Sequence, residues 1–124
     1  MKELYNYKSE SIYYNHTIFT NPQDKNFYFH THDTCELIFL KSGNASGIIG
    51  DKTYKLNKNS LIIFRANIPH RIRIDGNENY ERFDILFDEN ILSNGIFNKI
   101  YDTQIAWPKV LSPLGNAMRF VYRD

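Results

Sequence analysis

The sequence predicts a mainly β domain that is followed by α-helices. Over the first two-thirds of the chain, short segments rich in Ile, Phe, Tyr and Val alternate with turn residues at close spacing, which is typical of a β-sandwich or barrel. From Asp88 onward, apolar residues recur at helical intervals instead. This change of period divides the 124-residue chain into a β-barrel with an N-terminal arm or strand over 1–88 and a helical packing or dimerisation segment over 89–124.

Eight segments have the composition of strands, and turn residues separate them. The expected strands are 11–19, 27–32, 35–41, 45–49, 53–56, 61–64, 70–74 and 82–87. Several tyrosines lie near the N-terminus, and they fit either an arm that folds over a pocket or a strand that packs its rings on the outside of the barrel. These residues are Tyr5, Tyr7, Tyr13 and Tyr14.

Two patterns predict the helices at the end of the chain. The first is a run of apolar residues at helical spacing after Asp88 or Glu89, either of which suits a first turn. The run consists of Ile91, Leu92, Ile96, Phe97 and Ile100. In the second, Ser112-Pro113 matches an N-cap followed by proline at the first helical position. The apolar residues that continue this second pattern are Leu114, Met118 and Val121. We therefore expect a helix that has not ended at Asp124, in a chain cut from a longer one.

Composition excludes several classes of protein. Fifteen Lys and Arg against fourteen Asp and Glu leave a formal charge of +1, which argues against a nucleic-acid surface on this segment and against an electrostatic membrane binder. Cys35 is the only cysteine, so neither an internal disulfide nor a cysteine-cluster zinc site can form. We expect Cys35 to pack behind the sheet as a small apolar side chain. Because no apolar run approaches membrane-spanning length, we expect a cytoplasmic protein.

The residues that carry chemistry begin with the stretch from His30 to Glu36. Side chains two apart on an extended strand share a face, so His30, His32 and Glu36 are expected to project together. The same face continues as apolar residues at Ile38 and Leu40. A few polar groups set into an apolar wall have the composition of a binding cavity.

A second part of the site lies about forty positions further along the chain. There His70 and Ile72 share one face of a short strand, while Arg71 and Arg73 share the other. If this strand lies beside the first, His70 joins the two earlier histidines and the carboxylate. Three neutral imidazoles and one carboxylate suit a divalent ion such as Zn, Fe, Ni, Cu or Mn. Without a metal, the same four residues would line a pocket and hydrogen-bond a ligand.

The motif formed by these residues resembles that of the cupin superfamily. It reads H-x-H-x3-E-x6-G at His30, His32, Glu36 and Gly43, with a later P-H at Pro69-His70. The wider pattern from about residue 26 to residue 87 is similar to the N-terminal sensor domain of AraC-family transcriptional regulators. The segments that support this are 36–39, 54–56, 59–64, 68–71 and 83–88.

The resemblance implies a fold and a role. The fold would be a cupin-type double-stranded β-helix, or jelly-roll barrel. The domain would bind a small-molecule effector inside the barrel and form a homodimer, and DNA would be contacted only by a separate C-terminal helix-turn-helix domain absent from this chain.

The sequence departs from the metal-binding cupin pattern at several places. Asp24 stands where a glycine usually precedes the first histidine by six positions. Around His70, the usual Gly, Pro, Gly and Asn are replaced by Asn59, Arg65, Asn67 and Ile74. Asn67 still tolerates the positive φ of a turn glycine. Arg65 either points into the cavity, where it would bind a carboxylate or phosphate, or lies in solvent at a strand end.

The leading hypothesis is an effector-sensing and dimerisation domain without enzymatic activity. Its ligand-contacting residues would be His30, His32, Glu36, His70, Arg65, Ile38 and Ile72, and a metal would be held by His30, His32, Glu36 and His70. The alternative is a stand-alone metal-dependent cupin enzyme, a dioxygenase or isomerase of a small molecule. A third interpretation is a carbohydrate-binding module, for which Trp107 is the only available tryptophan platform.

Overall fold

The computed structural model describes residues 1–91, 109–114 and 117–121. These residues form ten β-strands and two single-turn 3-10 helices, Asp24–Asn26 and Glu89–Ile91. The strands are β1 Lys2–Lys8, β2 Ile12–Phe19, β3 Cys35–Ser42, β4 Ala45–Ile49, β5 Lys52–Leu56, β6 Leu61–Phe64, β7 Arg71–Ile74, β8 Tyr80–Phe87, β9 Lys109–Leu114 and β10 Ala117–Val121. Neither described helix is long and apolar enough to cross a lipid bilayer. The mainly β class is confirmed.

The strands form two antiparallel sheets. The larger sheet has seven strands in the order β1-β2-β8-β3-β6-β9-β10, and the smaller has three in the order β5-β4-β7. Their apolar faces contribute to one main hydrophobic core. The buried members of that core are Ile38, Leu40, Ala45, Tyr54, Leu56, Ile62, Phe64, Ile72, Ile74 and Tyr80. The site described below lies among these strands.

Side-chain alternation orients the two strands that the sequence singled out. On β3, Glu36, Ile38 and Leu40 are all buried, as expected for residues that share the inward face. Cys35 is also fully buried, but it packs on the other side in a separate cluster with Phe87. The predicted packing of Cys35 as a small apolar side chain is therefore confirmed.

Five described residues have a positive φ, and three of them, Gly43, Asn59 and Asn67, stand at motif positions. Gly43, between β3 and β4, has a φ of +116°. A Cβ placed there would lie 2.9 Å from the backbone oxygen of Asn79, so no other residue fits without a shift of the backbone. Asn67 has a φ of +64°, which confirms that asparagine replaces a turn glycine at this position.

One expected strand, 27–32, is absent. His30 makes only an isolated antiparallel bridge to His70, and the rest of the segment is loop. The reason lies at the neighbouring edge of β7, where the amide of Ile74 donates to Asp24 Oδ1 at 2.8 Å rather than to another strand. Asp24 also pairs with Arg71. The Asp24 side chain thus makes the hydrogen bond that a neighbouring strand would otherwise make.

The seven other expected strands were predicted correctly, with bounds within two residues of those observed.

The N-terminal tyrosines follow the second of the two expected arrangements. Residues 2–8 form β1, which pairs with β2 at the edge of the larger sheet. Tyr5 and Tyr7 are both exposed, and the ring of Tyr5 lies 5.7 Å from that of Tyr14 on the neighbouring strand. This segment is therefore an edge strand and not an arm over a pocket.

The expected C-terminal helices need a correction. The apolar run after Glu89 lies mostly outside the described residues, which contain only the single turn Glu89–Ile91. The helix expected to begin at Ser112-Pro113 is wrong, because β9 and β10 occupy this region and pair antiparallel. The first half of β9 also pairs with β6. At Pro113, β9 pairs with β10 alone among the described strands. A strand position with one neighbour tolerates proline, which has no amide hydrogen to donate.

Candidate functional site

Three parts of the chain bring the motif residues together. Glu36 lies on β3, His70 comes directly before β7, and His30 and His32 lie in the loop 23–34 between β2 and β3. Reciprocal backbone hydrogen bonds join His30 to His70, at 3.0 Å from His30 N to His70 O and 3.1 Å in return. The amide of Asn67 donates to the oxygen of His32 at 2.8 Å. The backbone therefore fixes both loop histidines beside His70.

The four side chains converge on one carboxylate oxygen. Glu36 Oε1 lies 2.8 Å from Nε2 of His70, 3.4 Å from Nε2 of His32 and 3.8 Å from Nε2 of His30. One ligand atom from each residue lies within 4.8 Å of all the others. We call this group the histidine–glutamate cluster. It contains every residue that the sequence proposed as a metal ligand.

Backbone carbonyls determine which ring nitrogen carries the hydrogen in each imidazole. Nδ1 of His30 lies 3.1 Å from the oxygen of Tyr28, and Nδ1 of His70 lies 2.8 Å from that of Ile68. Nδ1 of His32 lies 2.8 Å from the oxygen of Thr34. A carbonyl oxygen can only accept, so each Nδ1 must donate. In the neutral rings the three Nε2 lone pairs therefore point into the cluster, which is the tautomer that binds a metal.

This arrangement needs a positive charge at its centre. A carboxylate oxygen and an unprotonated Nε2 are both acceptors, and at 2.8 Å they repel each other unless a proton or a cation lies between them. Either of two arrangements removes this repulsion. Protons can turn the imidazoles into hydrogen-bond donors, or one divalent ion can be bound by all four residues. Three imidazoles and a carboxylate are a common donor set for zinc and iron, so the residues present fit a metal.

The pKa values follow from the same contacts. Burial would raise the pKa of Glu36, but the three imidazoles and Asp84 hold it well below its ordinary value. The Glu36 carboxylate in turn raises the pKa of both His30 and His32, against the opposing effect of burial. Burial raises the pKa of Asp84 well above its ordinary value, and the adjacent Glu36 charge raises it further.

Exposure differs across the cluster. The side chain of His70 is fully buried, and its ring stacks on Phe64 at 4.2 Å. Phe64 is the register partner of Glu36 on β6, so the ring that supports His70 also lies beside the carboxylate. The side chain of His30 is 44% exposed. Solvent and ligands therefore reach the cluster from the side of loop 23–34.

The cluster forms part of the wall of a cavity of about 500 Å³. Its lining includes all four cluster residues, together with Ile38 and Ile72, which the sequence proposed as ligand contacts. Arg65 is not among the lining residues. Its side chain is half exposed, and its Nε lies 3.5 Å from Oε1 of Glu89. The structure therefore places Arg65 at a solvent-facing strand end and not in the cavity.

Several lining residues were not predicted from the sequence. The most polar are Arg82 and Asp84 on β8, which together with Leu86 line the same side of the cavity. Their signal is the alternation along β8, where Tyr80, Arg82, Asp84 and Leu86 have one parity. Loop 23–34 and the end of β2 contribute the remaining lining residues, which are Phe19, Asn26, Phe27 and Tyr28.

Comparisons with known proteins agree with this fold. Residues 16–95 match the family model described as the AraC-like ligand binding domain. Over 49 residues the chain is 37% identical to the HTH-type transcriptional activator RhaR of Escherichia coli K12, a match that covers 40% of this chain and 17% of that protein. The chain thus spans about a sixth of the length of the curated relatives it matches.

Solved structures share the fold at low sequence identity. A cupin superfamily protein from Desulfitobacterium hafniense DCB-2 is similar with a TM-score of 0.58 and 14% identity, over 72% of this chain and 83% of that one. The DMSP lyase DddQ from Ruegeria pomeroyi DSS-3 is similar with a TM-score of 0.54 and 17% identity, over 68% of this chain and 42% of that one. These likenesses confirm the jelly-roll fold that the sequence predicted.

Proposed function

The chain belongs to the family of AraC-like ligand binding domains, and from this premise we propose that it binds a small-molecule effector in the cavity between its sheets. Effector binding would bias how an attached helix-turn-helix domain is presented to DNA. For this to occur, the effector must bind two arrangements of the protein with different affinity. The observation that carries the proposal is the cavity of about 500 Å³ with buried polar groups on an apolar wall.

The electrostatics of the chain support a sensing role. A net charge of +1 argues against a dedicated DNA-binding surface on this chain, so contact with DNA would belong to another part of a longer, cytoplasmic protein. A homodimer would place two such parts on neighbouring half-sites. The relative RhaR is a transcriptional activator of the HTH type, and sensing by this chain would supply the input to such a protein.

A metal ion has a defined place in this proposal. His30, His32, Glu36 and His70 would hold one divalent ion, either Zn, Fe, Ni or Mn. When bound, such an ion supplies a Lewis-acid centre that attracts an oxygen or nitrogen atom of the effector. The cluster lines the cavity, so the effector would meet the ion inside it.

The second candidate is a metal-dependent enzyme that acts on a small molecule. One observation favours it. The four metal-ligand atoms of the histidine–glutamate cluster lie close together at the wall of a cavity large enough for a substrate. His30, His32, Glu36 and His70 would hold the ion, which would supply Lewis-acid chemistry beside a bound substrate. Chemical turnover of a ligand by the metal-loaded protein would distinguish this candidate from a sensor.

The test compares the wild type with a variant whose cavity is filled. Ile72 is buried and lines the cavity, so Ile72→Phe adds volume inside it, whereas Ile49→Phe alters a half-buried residue that is not part of the lining. Both are made in the full-length regulator, which is screened with a panel of small metabolites by thermal shift and by a transcription reporter.

The proposal expects a compound that stabilises the wild type and changes reporter output, with both effects lost in Ile72→Phe and kept in Ile49→Phe. Equal binding to the wild type and Ile72→Phe would contradict binding in the cavity. Conversion of the compound to a product would support the enzyme instead.

A further inference from the structure

An aromatic ring holds the buried imidazole of His70 from one side. The ring of Phe64 lies nearly parallel to that of His70, with 4.2 Å between the ring centres and 11° between the planes. Both side chains are fully buried. The rings of His30 and His32 lie at steep angles to the His70 ring, at 4.5 and 5.0 Å. Phe64 is therefore the flat surface on which the innermost histidine of the cluster packs.

Two contacts together fix the direction of His70 Nε2. The side chain can turn about two bonds, and the hydrogen bond from Nδ1 to the oxygen of Ile68 constrains one ring atom alone. Stacking on Phe64 constrains the plane of the ring as well. With the plane fixed, Nε2 lies 2.8 Å from Oε1 of Glu36 and is directed into the cluster, where an ion would be held.

The space for the Phe64 ring comes from a glycine on the smaller sheet. Gly47 lies on β4, the middle strand of that sheet. A Cβ added there would lie 3.3 Å from Cζ of Phe64 and 2.6 Å from Cδ1 of Ile62, and both of these side chains are fully buried. Glycine within a strand weakens it and is typical of places where another group approaches the backbone closely. Here that group includes the ring that supports His70.

We propose that Phe64 is a positioning residue for metal binding by the histidine–glutamate cluster, and that Gly47 determines where its ring lies. Phe64 has no atom that could coordinate an ion, so it acts only through the orientation of His70. A preorganised ligand loses less conformational freedom when the ion binds, which raises the affinity of the site. This inference rests on the metal ion of the proposed function, and it adds one residue on β6 and one on β4 to those that determine metal affinity.

The experiment measures metal binding and stability separately. The full-length protein is purified without a metal-affinity tag and stripped of metal. Zn²⁺ affinity is measured by competition with a chelating dye, the visible spectrum of bound Co²⁺ reports on coordination geometry, and urea unfolding of the metal-free protein reports on stability.

Two variants change the support of His70, and a third is the control. Phe64→Leu removes the flat ring and keeps an apolar side chain, whereas Gly47→Ala pushes the ring from behind. If Phe64→Leu does not fold, Phe64→Met takes its place, because it fills the same space with a flexible chain. Phe87→Leu makes the matched change at a buried phenylalanine that packs with Cys35 in the separate cluster.

We expect Phe64→Leu and Gly47→Ala each to weaken Zn²⁺ binding about tenfold or more and to change the Co²⁺ spectrum, as loss of a group that orients a metal ligand does. Phe87→Leu should lower stability and leave both metal readouts unchanged. In the double variant, Gly47→Ala should cause no further loss of affinity, because the ring through which it acts is no longer present. A merely structural role for Phe64 would change urea unfolding alone.

Three results would overturn the inference while the metal site stands. The first is wild-type Zn²⁺ affinity with an unchanged Co²⁺ spectrum in Phe64→Leu. The second is additive loss of affinity in the double variant. The third is an equal loss in Phe87→Leu, which would assign the effect to general stability. Failure of the proposed metal site has a different signature, since His32→Ala would then bind Zn²⁺ as tightly as the wild type, and the inference would fail with it.

Discussion

Glu36 Oε1 lies 2.8 Å from Nε2 of His70, and both side chains are almost completely withdrawn from solvent. Since Nδ1 of His70 is committed to the oxygen of Ile68, this short contact exists only with a proton or a cation between the two atoms. A buried carboxylate without such a partner would be strongly unfavourable. The pair is therefore the innermost part of a site built for positive charge.

The first prediction concerns metal binding. We expect His32→Ala to weaken the binding of a divalent ion about 100-fold or more, since it removes one of four ligands. The control is His16→Ala, which changes a histidine that pairs with Glu81 outside the cluster. Metal content is measured by mass spectrometry on protein purified without a metal-affinity tag, and affinity is measured by competition with a chelator. Equal affinity in the wild type and His32→Ala would show that the ion binds elsewhere.

The second prediction concerns the anchor of loop 23–34. Asp24 accepts from the amide of Ile74 and pairs with Arg71, so Asp24→Ala should lower the free energy of unfolding by about 1 kcal/mol. Because the same loop carries His30 and His32, we also expect metal affinity to fall several-fold. Asp33→Ala, at an exposed position of the loop, should change neither quantity. Chemical denaturation and metal titration give the two readouts, and an unchanged metal affinity in Asp24→Ala would disconnect the anchor from the site.

The third prediction concerns the turn glycine of the motif. Gly43→Ala should reduce stability by about 2 to 3 kcal/mol, because it combines a φ of +116° with a Cβ only 2.9 Å from the oxygen of Asn79. Gly50 has a φ of +58°, and a Cβ added there would have no other atom within 4 Å. Gly50→Ala should therefore cost only about 1 kcal/mol. Urea unfolding of both variants measures the difference, and equal losses would contradict the role of the close approach at Gly43.

The fourth prediction is a pH dependence. Burial would raise the pKa of Asp75, but hydrogen bonds from Ser46, Arg73 and Lys55 hold it below its ordinary value of 3.8. A carboxyl group whose pKa is lower in the folded state stabilises the fold above its unfolded pKa, and this contribution is lost as the pH falls through the folded pKa. Asp75→Asn should thus cost about 0.5 to 1 kcal/mol at pH 7 and at pH 5, and less at pH 3.

The measurement for Asp75 is urea unfolding at the three pH values, with Asp51→Asn as the control at an exposed turn position. The control should show no such dependence on pH. A cost of Asp75→Asn that grows as the pH falls would contradict a lowered pKa in the folded protein.

Part of the site could be predicted because strand parity is a local property, although His30 and His32, expected on a strand, lie in a loop. On β3, the alternation from Glu36 to Leu40 identifies the inward face without any knowledge of the partner strands. The same reasoning identifies His70 and Ile72 on the other sheet. The polar wall on β8 obeys the same rule, and it was missed because Arg82 and Asp84 have the residue types of a solvated face.

The parts that could not be predicted depend on contacts between distant residues. Segment 27–32 has strand composition, but whether it pairs depends on Asp24 occupying the edge of β7. Likewise β9 becomes a strand through its pairing with β6, which lies about fifty residues earlier. Apolar residues spaced by four suit a helix and, at even spacing, one face of a strand. Whether such a segment forms a helix or a strand depends on whether another strand, here β6, is available to pair with it.

Loop 23–34 connects the two sheets in a way that has a mechanical consequence. It is fastened to β7 of the smaller sheet through Asp24 and continues directly into β3 of the larger sheet at Cys35. Between these points it supplies Phe27 and His30 to the cavity wall. The loop therefore links the smaller sheet to the larger one beside the cavity. Its position depends on the distance between the two sheets. Under the proposed function, an effector bulky enough to displace this loop would also change the distance between the two sheets.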